Sequence, residues 1–337
     1  MAVSLKDISA KVHVNTCSVS QVLNNHPRAQ SLRPETREKI LAAARELGYF
    51  KNEMAASVVR KNSRLLAFVA DDMGSIEYTG RIQNGVLEAA GEYNYLIMLH
   101  RLAGSSPEDT LRKILGWRAA GVVFHVSTLS RIAEITENLD KHGIPWGTVN
   151  LSNPGGIGST SDDFAGVEDL VGAFCRSGHK KTAYLYIDTG SQCEFRLKRK
   201  AGYQSGIKKH CSAGNEIFIP LAKDLENMPE VTAKIRRENI DAVICESDHL
   251  AAGVLRQATL DGLRVPEDFS IAGFGNSVIS EYTLPPLTTV AQDFELMGRE
   301  TIRQIVDFIE KNKKDNADEG FLPTKIIFRQ SVRCSAE

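Results

Sequence analysis

The chain has 337 residues, 42% of them hydrophobic and 25% charged, which excludes a collagen-like, low-complexity or wholly disordered protein. No run approaches the ~18 consecutive apolar residues of a membrane span, and the start M-A-V-S-L-K-D-I carries charge where a secretory signal has its apolar core. We therefore expect a cytoplasmic protein without membrane contact. The six cysteines form no Cys-x-x-Cys pair and have no histidine at zinc spacing, so we expect reduced thiols, no metal and no other cofactor.

The net charge of −1 combines two unequal parts. Residues 1–64 hold 11 Lys and Arg against 5 Asp and Glu, a balance of +6, whereas residues 65–337 hold 30 against 37, a balance of −7. A small basic segment on a mildly acidic body is typical of a polyanion-binding module joined to a second domain. A basic segment that is merely solvated is the alternative.

Three short helices are predicted within the first 50 residues. The first begins at Ser4, where Asp7 completes a capping-box pattern, and the second covers Thr16–Leu23 with Asn15 as its N-cap. The third covers Pro34–Leu47, with proline in its first turn and glycine just beyond its end. Two short helices joined by three residues and closed by a third helix have helix-turn-helix geometry.

The second helix has apolar residues on one side and small polar residues on the other. The polar side carries Cys17, Ser20, Gln21 and Asn24. A solvated surface helix usually carries Lys and Glu there, whereas small polar side chains suit a face that enters a DNA groove and bonds base edges or phosphates. An ordinary three-helix domain is the alternative.

Two runs in this segment resemble a known family. V-N-T-C-S-V-S-Q-V-L-N (Val14–Asn24) and P-E-T-R-E-K-I-L-A-A-A-R-E-L-G-Y (Pro34–Tyr49) are similar to the DNA-binding head of the lactose/galactose-repressor (LacI/GalR) transcription regulators. The resemblance implies that the second helix lies in the major groove. Gln21 stands where many relatives carry arginine, and glutamine can pair bidentately with adenine. The DNA contacts that the resemblance implies in the head are Ser4, Thr16, Cys17, Ser18, Ser20, Gln21, Asn24 and Tyr49.

Residues 51–64 are predicted to be a hinge. Met54–Val59 is compatible with a helix that is too short to be stable by itself in water. In the family that it resembles, such a segment folds only when paired with its twin on DNA, where an apolar residue, here Val58, wedges into the minor groove. Asn52, Ala55 and Val58 complete the implied DNA contacts. A plain linker is the alternative.

From Leu65 onward, apolar runs alternate with amphipathic helical segments, which predicts parallel α/β units. The candidate strands are Leu65–Val69, Leu96–Leu99, Val122–Val126, Trp146–Val149, Thr182–Ile187, Ile217–Ile219, Ala242–Cys245, Ser270–Phe274 and Ile326–Phe328. Two sets of such units predict two similar lobes. In open α/β sheets a ligand sits beyond the carboxyl ends of the strands, so we expect a ligand site in the cleft between the lobes.

The resemblance extends over this body. C-R-S-G-H-K-K (Cys175–Lys181), C-E-S-D-H-L-A-A-G (Cys245–Gly253) and L-P-P-L-T-T-V-A-Q-D-F (Leu284–Phe294) look like the effector domain of the same family, which is itself similar to periplasmic sugar-binding proteins. Tyr78 and Thr79 are expected in a loop after the first strand. The effector contacts that the resemblance implies are Tyr78, Thr79, Arg199, Asp248, Gly275, Asn276, Gln292 and Phe294.

Three of these positions have alternatives or departures. Asp248 is equally compatible with an N-cap of the helix from Leu250, and Arg199 lies in a basic run that is usually solvated. In G-F-G-N, Gly275 replaces a carboxylate that the family usually carries to grip ligand hydroxyls. We therefore expect either that Asn276 or another residue substitutes, or that the effector is not an ordinary free sugar.

Together these features predict an α/β protein with an N-terminal three-helix helix-turn-helix head plus a two-lobed, periplasmic-binding-protein-like effector domain with parallel sheets. The expected divisions are residues 1–50 for the head, 51–64 for the hinge and 65–337 for effector binding and dimerisation, with an N-lobe of about 65–161 and 293–322 and a C-lobe of about 162–292 and 323–337.

The sequence carries no enzyme signature. P-G-G-I-G-S (Pro154–Ser159) matches no phosphate-binding motif and is interpreted as a flexible loop. We expect a sequence-specific DNA-binding transcriptional repressor, not an enzyme, with a carbohydrate-like effector between the lobes. One small head buries too little surface for tight specific binding, so we expect a homodimer on double-stranded DNA with a pseudo-palindromic operator. The alternatives are a solute-binding protein and a DNA-bound architectural regulator with a non-functional effector cleft.

Overall fold

The computed structural model describes residues 3–50, 63–73, 77–188, 190, 193–211, 215–222, 227–311 and 320–333. The chain divides into two compact units, Met1–Ser63 and Arg64–Glu337. The hinge segment Met54–Val59 and its candidate DNA contacts Asn52, Ala55 and Val58 lie outside the described residues.

The first unit is a three-helix bundle. Its elements are α1 (Leu5–Val12), α2 (Thr16–Leu23), a 3-10 helix (Pro27–Ser31) and α3 (Pro34–Glu46). Ser4 and Asp7 form the capping box of α1, and the Asn15 side chain accepts a hydrogen bond from the Ser18 amide at 2.7 Å to cap α2. The three predicted helices are confirmed because local caps determine where they begin.

One small core holds these helices together. Its buried side chains come from all three helices and from the 3-10 helix: Ile8, Val19, Val22, Ala29, Ile40, Ala43 and Ala44. The apolar stripe of α2 is buried in this core, so the opposite side of α2 is left for other contacts.

The second unit is built from two parallel sheets with helices on their faces. In chain order its elements are β1 (Leu65–Ala70), α4 (Glu77–Glu92), β2 (Leu96–Arg101), α5 (Pro107–Gly116), β3 (Gly121–His125), a 3-10 helix (Leu129–Arg131), α6 (Ala133–Lys141), β4 (Trp146–Val149), β5 (Ile157–Ser161), α7 (Asp163–Arg176), β6 (Thr182–Ile187), α8 (Glu194–His210), β7 (Ile217–Leu221), α9 (Met228–Arg237), β8 (Ala242–Cys245), α10 (Asp248–Leu260), β9 (Ser270–Gly275), α11 (Ile279–Tyr282), β10 (Thr288–Ala291), α12 (Phe294–Lys311), β11 (Gly320–Leu322) and β12 (Lys325–Ile327).

The two sheets have six strands each. The first has the order β11-β5-β4-β3-β1-β2 with every neighbouring pair parallel. The second has the order β12-β10-β9-β8-β6-β7, and only β12 runs antiparallel to its neighbour. We call the first sheet with its helices the N-lobe and the second the C-lobe. Helices cover both faces, which is why most strands are continuous apolar runs.

The chain passes between the lobes at three described places: between β5 and α7, between β10 and α12, and between β11 and β12. The Asp162 amide, in the first crossing, donates to the Leu322 carbonyl in the third at 3.0 Å. Gln292, in the second crossing, donates from Nε2 to Ser161 Oγ at 2.6 Å. The three crossings are therefore hydrogen-bonded to one another.

The prediction of a flexible loop over Pro154–Ser159 is wrong for the second half of that segment. Ile157–Ser161 forms β5, which pairs with both β4 and β11. This strand is short and polar, and Ser159 Oγ donates to the Gly320 carbonyl at 3.1 Å. Neighbouring strands satisfy its polar groups, and apolar patterning does not detect such a segment.

The expectation of six reduced thiols is also wrong. Cys175, at the end of α7, and Cys211, just after α8, form a disulfide, whereas Cys17 and Cys245 are free thiols. The packing of α7 against α8 brings together two cysteines that are 36 positions apart in the chain. None of the helices in the described part of the chain has the length and apolar character that crossing a bilayer requires.

Candidate functional site

The outward side of α2 is the first candidate site. Thr16 and Cys17 are exposed, and Ser20, Gln21 and Asn24 are partly buried. Gln21 Nε2 approaches Cys17 Sγ at 3.5 Å, and Asn24 Nδ2 donates to the Ser20 carbonyl at 2.8 Å and to Ser20 Oγ at 3.1 Å. The structure therefore gathers these side chains on one polar face made of short hydrogen-bonding groups.

The other candidate DNA contacts in the head support its helix ends. The Ser4 amide and Oγ both donate to the Asp7 carboxylate, at 2.7 and 2.8 Å, and these bonds hold the pKa of Asp7 below its ordinary value. The Ser18 amide is the donor in the α2 cap. The Tyr49 amide donates to the Ala44 carbonyl at 2.8 Å, and its side chain packs against the head core. Each has a structural role whether or not it meets DNA.

The head surface is basic. Residues 3–50 hold 7 Lys and Arg against 4 Asp and Glu, a balance of +3. Lys6, Arg28, Arg33, Lys39 and Arg45 are exposed. Exposed cations around a polar helix face are the composition that phosphate contact requires.

The second candidate site is a cavity of about 240 Å³ between the N-lobe and the C-lobe. Its lining comes from α4, from the start of α8 and from residues at or just beyond the carboxyl ends of β4, β6, β8, β9 and β10. Among the described residues, the lining consists of Glu77, Tyr78, Arg81, Asn150, Ile187, Phe195, Arg196, Arg199, Glu246, Ser247, His249, Phe274, Gly275, Ser277, Gln292 and Phe294. The cleft lies where the sequence predicted it, at the carboxyl ends of parallel strands.

Five candidate effector residues line this cavity: Tyr78, Arg199, Gly275, Gln292 and Phe294. The other three are absent from the described lining: Thr79, Asp248 and Asn276.

Tyr78 and Thr79 lie in the first turn of α4, so the expectation that they lie in a loop is wrong. Consecutive helical residues are about 100° apart around the axis. Tyr78 therefore faces the cavity, while Thr79 is buried. Burial raises the pKa of the Tyr78 hydroxyl above its ordinary value, so this group remains a neutral hydroxyl at neutral pH.

Arg199 is 7% exposed, so the alternative of a solvated basic run is wrong for this residue. Nε donates to Asp163 at 2.8 Å, Nη1 to the Glu246 carbonyl at 2.6 Å and Nη2 to Gln292 Oε1 at 3.2 Å. Gln292 Nε2 also donates to Asp163 at 3.0 Å. The guanidinium thus joins the cleft wall to two of the lobe crossings.

Asp248 is 1% exposed and faces away from the cavity. Thr289 Oγ1 donates to its carboxylate at 2.5 Å, and the amide and Oγ of Ser277 donate at 2.7 and 3.0 Å. The alternative role of Asp248 as N-cap is wrong, because the Ser247 side chain caps α10. Burial raises the pKa of Asp248, and these hydrogen bonds oppose that rise.

Gly275 is the last residue of β9, and Asn276 follows it. Gly275 lines the cavity with a φ of +119°, a backbone conformation that favours glycine. The Asn276 amide donates to Thr289 Oγ1 at 3.2 Å, and its side-chain oxygen accepts from Arg329 at 2.9 Å. Asn276 therefore supports the end of β9. It is not among the described residues that line the cavity.

Four aromatic rings line the cavity. Tyr78 stacks on Phe294 with ring centroids 5.2 Å apart. The Arg199 guanidinium carbon lies 3.8 Å from the centroid of Phe274 and 5.0 Å from that of Phe195. The cavity therefore offers apolar faces as well as hydrogen-bonding groups.

Three charged residues of the lining, Arg81, Arg196 and Glu246, were missed from the sequence. Arg81 bonds the Glu295 carboxylate at 2.9 Å, and Arg196 bonds Glu246 at 3.3 Å. Glu246 directly follows the buried strand β8, so the rule that ligand sites lie at carboxyl ends of strands pointed to it. Arg81 and Arg196 gave no such signal, because tertiary packing alone brings them to the cavity.

Polar contacts also join the lobes at the cavity rim. The Val278 amide of the C-lobe donates to Glu77 of the N-lobe at 3.0 Å. On another side, the Ser152 amide of the N-lobe donates to Glu194 of the C-lobe at 3.0 Å. A change at these contacts would change how far the cleft is closed.

Two family models match parts of this chain. Residues 4–52 match the model of the bacterial regulatory proteins of the lacI family, and residues 171–332 match a periplasmic binding protein-like domain.

Relatives match almost the whole chain. Catabolite control protein A of Priestia megaterium is 26% identical over 340 residues, which cover 99% of this chain and 100% of the relative. The HTH-type transcriptional repressor CytR of Escherichia coli K12 is 26% identical over 345 residues, which cover 98% and 97%.

Solved structures support the fold. The lac repressor dimer bound to operator and the anti-inducer ONPF has a TM-score of 0.82 at 22% identity, covering 98% of this chain and 99% of that one. A complex of the transcriptional regulator CelR with cellobiose has a TM-score of 0.67 at 23% identity, with coverage of 98% and 99%. The chain carries the DNA-binding head of the lacI family of bacterial regulatory proteins and is a DNA-binding transcriptional regulator.

Proposed function

We propose that this protein is a cytoplasmic repressor that binds a pseudo-palindromic operator as a homodimer and that a small molecule in the cleft modulates its operator affinity. The observation that carries the proposal is the cavity of about 240 Å³, lined by both lobes, in a chain that also has a helix-turn-helix head. Cavities of roughly 300 Å³ and above typically hold small-molecule ligands, so this one suits a small effector.

The DNA site in this proposal is the polar face of α2. Thr16, Cys17 and Gln21 meet base edges, whereas Ser4, Ser18, Ser20, Asn24 and Tyr49 contact or position the phosphate backbone. Support comes from the exposure of this face and from the basic head surface. Asn52, Ala55 and Val58 belong to the proposed hinge and contact the minor groove.

The proposed division of the chain assigns residues 1–50 to the head, 51–64 to the hinge and 65–337 to effector binding and dimerisation. The separation of β1–β5 and β11 from β6–β10 and β12 into two sheets supports the assignment of residues 65–161 and 293–322 to the N-lobe and the remainder to the C-lobe.

The proposed effector contacts are Tyr78, Arg199, Gly275, Gln292 and Phe294. Thr79, Asp248 and Asn276 act behind them, as supports of the cleft wall. Relatives of similar fold have been solved with cellobiose and with ribose, which supports a carbohydrate-like or similarly small effector.

A homodimer is supported by large apolar side chains at the surface. Leu96 and Leu99 on the edge strand β2 are 69% and 50% exposed, and Tyr282 and Leu284 beside α11 are 78% and 86% exposed. Self-association would bury such groups. A homologous lac repressor has been solved as a dimer on its operator.

The proposed mechanism is linkage between the cleft and the operator. A ligand that binds one degree of lobe closure more tightly changes the rim contacts, and it thereby changes the operator affinity by a coupling free energy of about 1–3 kcal/mol. The three crossings between the lobes, joined by Gln292 and Asp162, are the segments through which closure acts.

The experiment measures operator affinity by fluorescence anisotropy, with and without each ligand that raises the melting temperature of the full chain. We expect such a ligand to change the operator Kd by about 5- to 150-fold. A ligand that stabilises the protein but leaves the operator Kd unchanged would refute the linkage. Absence of any stabilising ligand, with operator binding intact, would favour the architectural alternative.

A further inference from the structure

One carboxylate in the cleft has hydrogen-bond donors from the described residues at only one of its two oxygens. Glu246 is 4% exposed and lines the cavity just beyond the carboxyl end of β8. Its Oε1 accepts from the Ile187 amide at 3.2 Å and lies 3.3 Å from Arg196 Nη2. Its Oε2 is buried, and no group among the residues that the structure describes donates a hydrogen bond to it.

A buried carboxylate oxygen without a donor is costly, and such atoms are rare in folded proteins. Burial also raises the pKa of Glu246, while Arg196 and the Ile187 amide oppose that rise. A donor delivered by a ligand would remove the cost. Because Glu246 lines the cavity, a ligand bound there is a source of such a donor.

The charges around the cavity restrict what that ligand is. Arg81 is paired with Glu295, Arg199 with Asp163, and Arg196 with Glu246 itself. Glu77 adds a further carboxylate to the lining. The described lining therefore holds no arginine whose charge lacks a carboxylate partner, and an anionic ligand would meet Glu77 and Glu246 without an unpaired arginine to compensate its charge.

The carboxyl ends of β8 and β9 differ in whether they offer a ligand a free hydrogen-bond acceptor. Gly275 brings no side chain, and the Asp248 carboxylate behind it is already occupied by Thr289 and Ser277. Among the described acidic residues of the C-lobe, Glu246 is consequently the one that lines the cavity and has a carboxylate oxygen without a donor. It stands beside Phe195 and Phe274, whose rings offer an apolar face.

We propose that Glu246 is the acceptor that selects the effector, and that the effector carries no negative charge and directs an O–H or N–H donor at Oε2. This inference rests on the proposed function, because it assigns chemistry to the same cleft. The inference predicts that uncharged or amino-bearing ring compounds bind in the cleft more tightly than their phosphate esters.

The test uses matched probes on the full chain: glucose, glucosamine and glucose 6-phosphate; ribose and ribose 5-phosphate; adenosine and its 5′-monophosphate. Thermal shift identifies the probes that bind, and calorimetry gives their Kd for wild type, Glu246→Gln and Glu246→Ala. Glu230→Gln, an exposed carboxylate on α9, is the matched control. Operator binding and the circular dichroism spectrum without ligand check that the variants are folded.

We expect an unphosphorylated or amino-bearing probe to bind wild type, its phosphate ester to bind at least tenfold more weakly, and both Glu246 variants to lose about tenfold or more in affinity. Glu230→Gln should bind like wild type. A phosphate ester that binds as tightly as its parent, or unchanged affinity in Glu246→Ala, would overturn the role of Glu246 while leaving effector control in place. A wild type that binds operator but none of the probes would count against effector control itself, and this inference would fall with it.

Discussion

Arg199 Nε donates to the Asp163 carboxylate at 2.8 Å, and the two side chains are only 8% and 3% exposed. Asp163 opens α7 directly after the first lobe crossing, and Gln292 in the second crossing bonds to both partners. This buried pair therefore holds together the cleft wall and two of the segments that connect the lobes.

Breaking that pair should destabilise the protein strongly. Arg199→Ala leaves the Asp163 carboxylate buried without its cation, and we expect a loss of about 3–5 kcal/mol in the free energy of unfolding, measured with urea. Arg112→Ala, which removes an exposed pair with Glu108, should cost less than about 1 kcal/mol. Equal effects of the two substitutions would show that the buried network contributes little.

A close helix crossing in the N-lobe predicts opposite effects for two glycines of α4. A Cβ at Gly85 would collide with the Glu295 backbone of α12, whereas one at Gly91 would meet no atom within 4 Å. Gly85→Ala should therefore cost about 1–3 kcal/mol through forced separation of α4 from α12. Gly91→Ala should gain about 0.5–1 kcal/mol from helix propensity. Thermal unfolding of both variants tests this, and a stabilising Gly85→Ala would contradict the packing.

We expect the free energy of unfolding to decrease as the pH falls, and we expect His125 to cause part of that decrease. Burial lowers the pKa of this histidine from 6.5 to about 4, so the unfolded chain binds more protons than the native one between these values. The native state is favoured above pH 6.5, and this advantage is lost as the pH falls toward 4. We expect His125 to account for about 2 kcal/mol of lost stability between pH 7 and 5.

His125→Gln should remove that part of the pH dependence, as measured by urea unfolding at both pH values. His142→Gln, an exposed position on the same lobe, should retain it. Parallel pH profiles for wild type and His125→Gln would show that His125 does not titrate in this range.

The head could be predicted from sequence almost completely. Ser4, Asn15 and Pro34 begin its helices, and each acts through a local hydrogen bond or a fixed backbone angle that the sequence reveals directly. The apolar strands were found for the same local reason. β5 and β10 were missed because Ser, Thr and Gly residues form much of them and neighbouring strands satisfy their polar groups, and β11 was missed because it has only three residues.

The cleft could be predicted only in part. The topology of parallel strands located it, and the resemblance supplied Tyr78, Arg199 and Phe294, which line it. Asp248 has the right chemistry, but its side chain turns into the C-lobe toward Thr289 and Ser277, and no sequence pattern reveals that direction. Glu246 is the opposite case. It was not singled out from the sequence, because its proposed role depends on which of its neighbours donate hydrogen bonds to it, and only the structure shows that.

The polar face of α2 predicts a specific substitution pattern. Gln21→Ala should reduce affinity for the operator by about 1–3 kcal/mol while leaving affinity for random DNA unchanged, since a base-reading side chain is lost and the phosphate contacts remain. Gln30→Ala, at an exposed position of the 3-10 helix, should leave both affinities unchanged. Equal losses on operator and random DNA would place Gln21 on the backbone.

The most direct measurement of the central claim is selection of genomic DNA fragments by the purified full chain, followed by anisotropy titration of the enriched sequences at physiological salt. We predict that the enriched fragments share a two-fold pseudo-palindrome and bind at least about 10³-fold more tightly than random DNA. Enrichment of no common sequence, with equal Kd values for every fragment, would contradict the claim that this chain is a sequence-specific regulator.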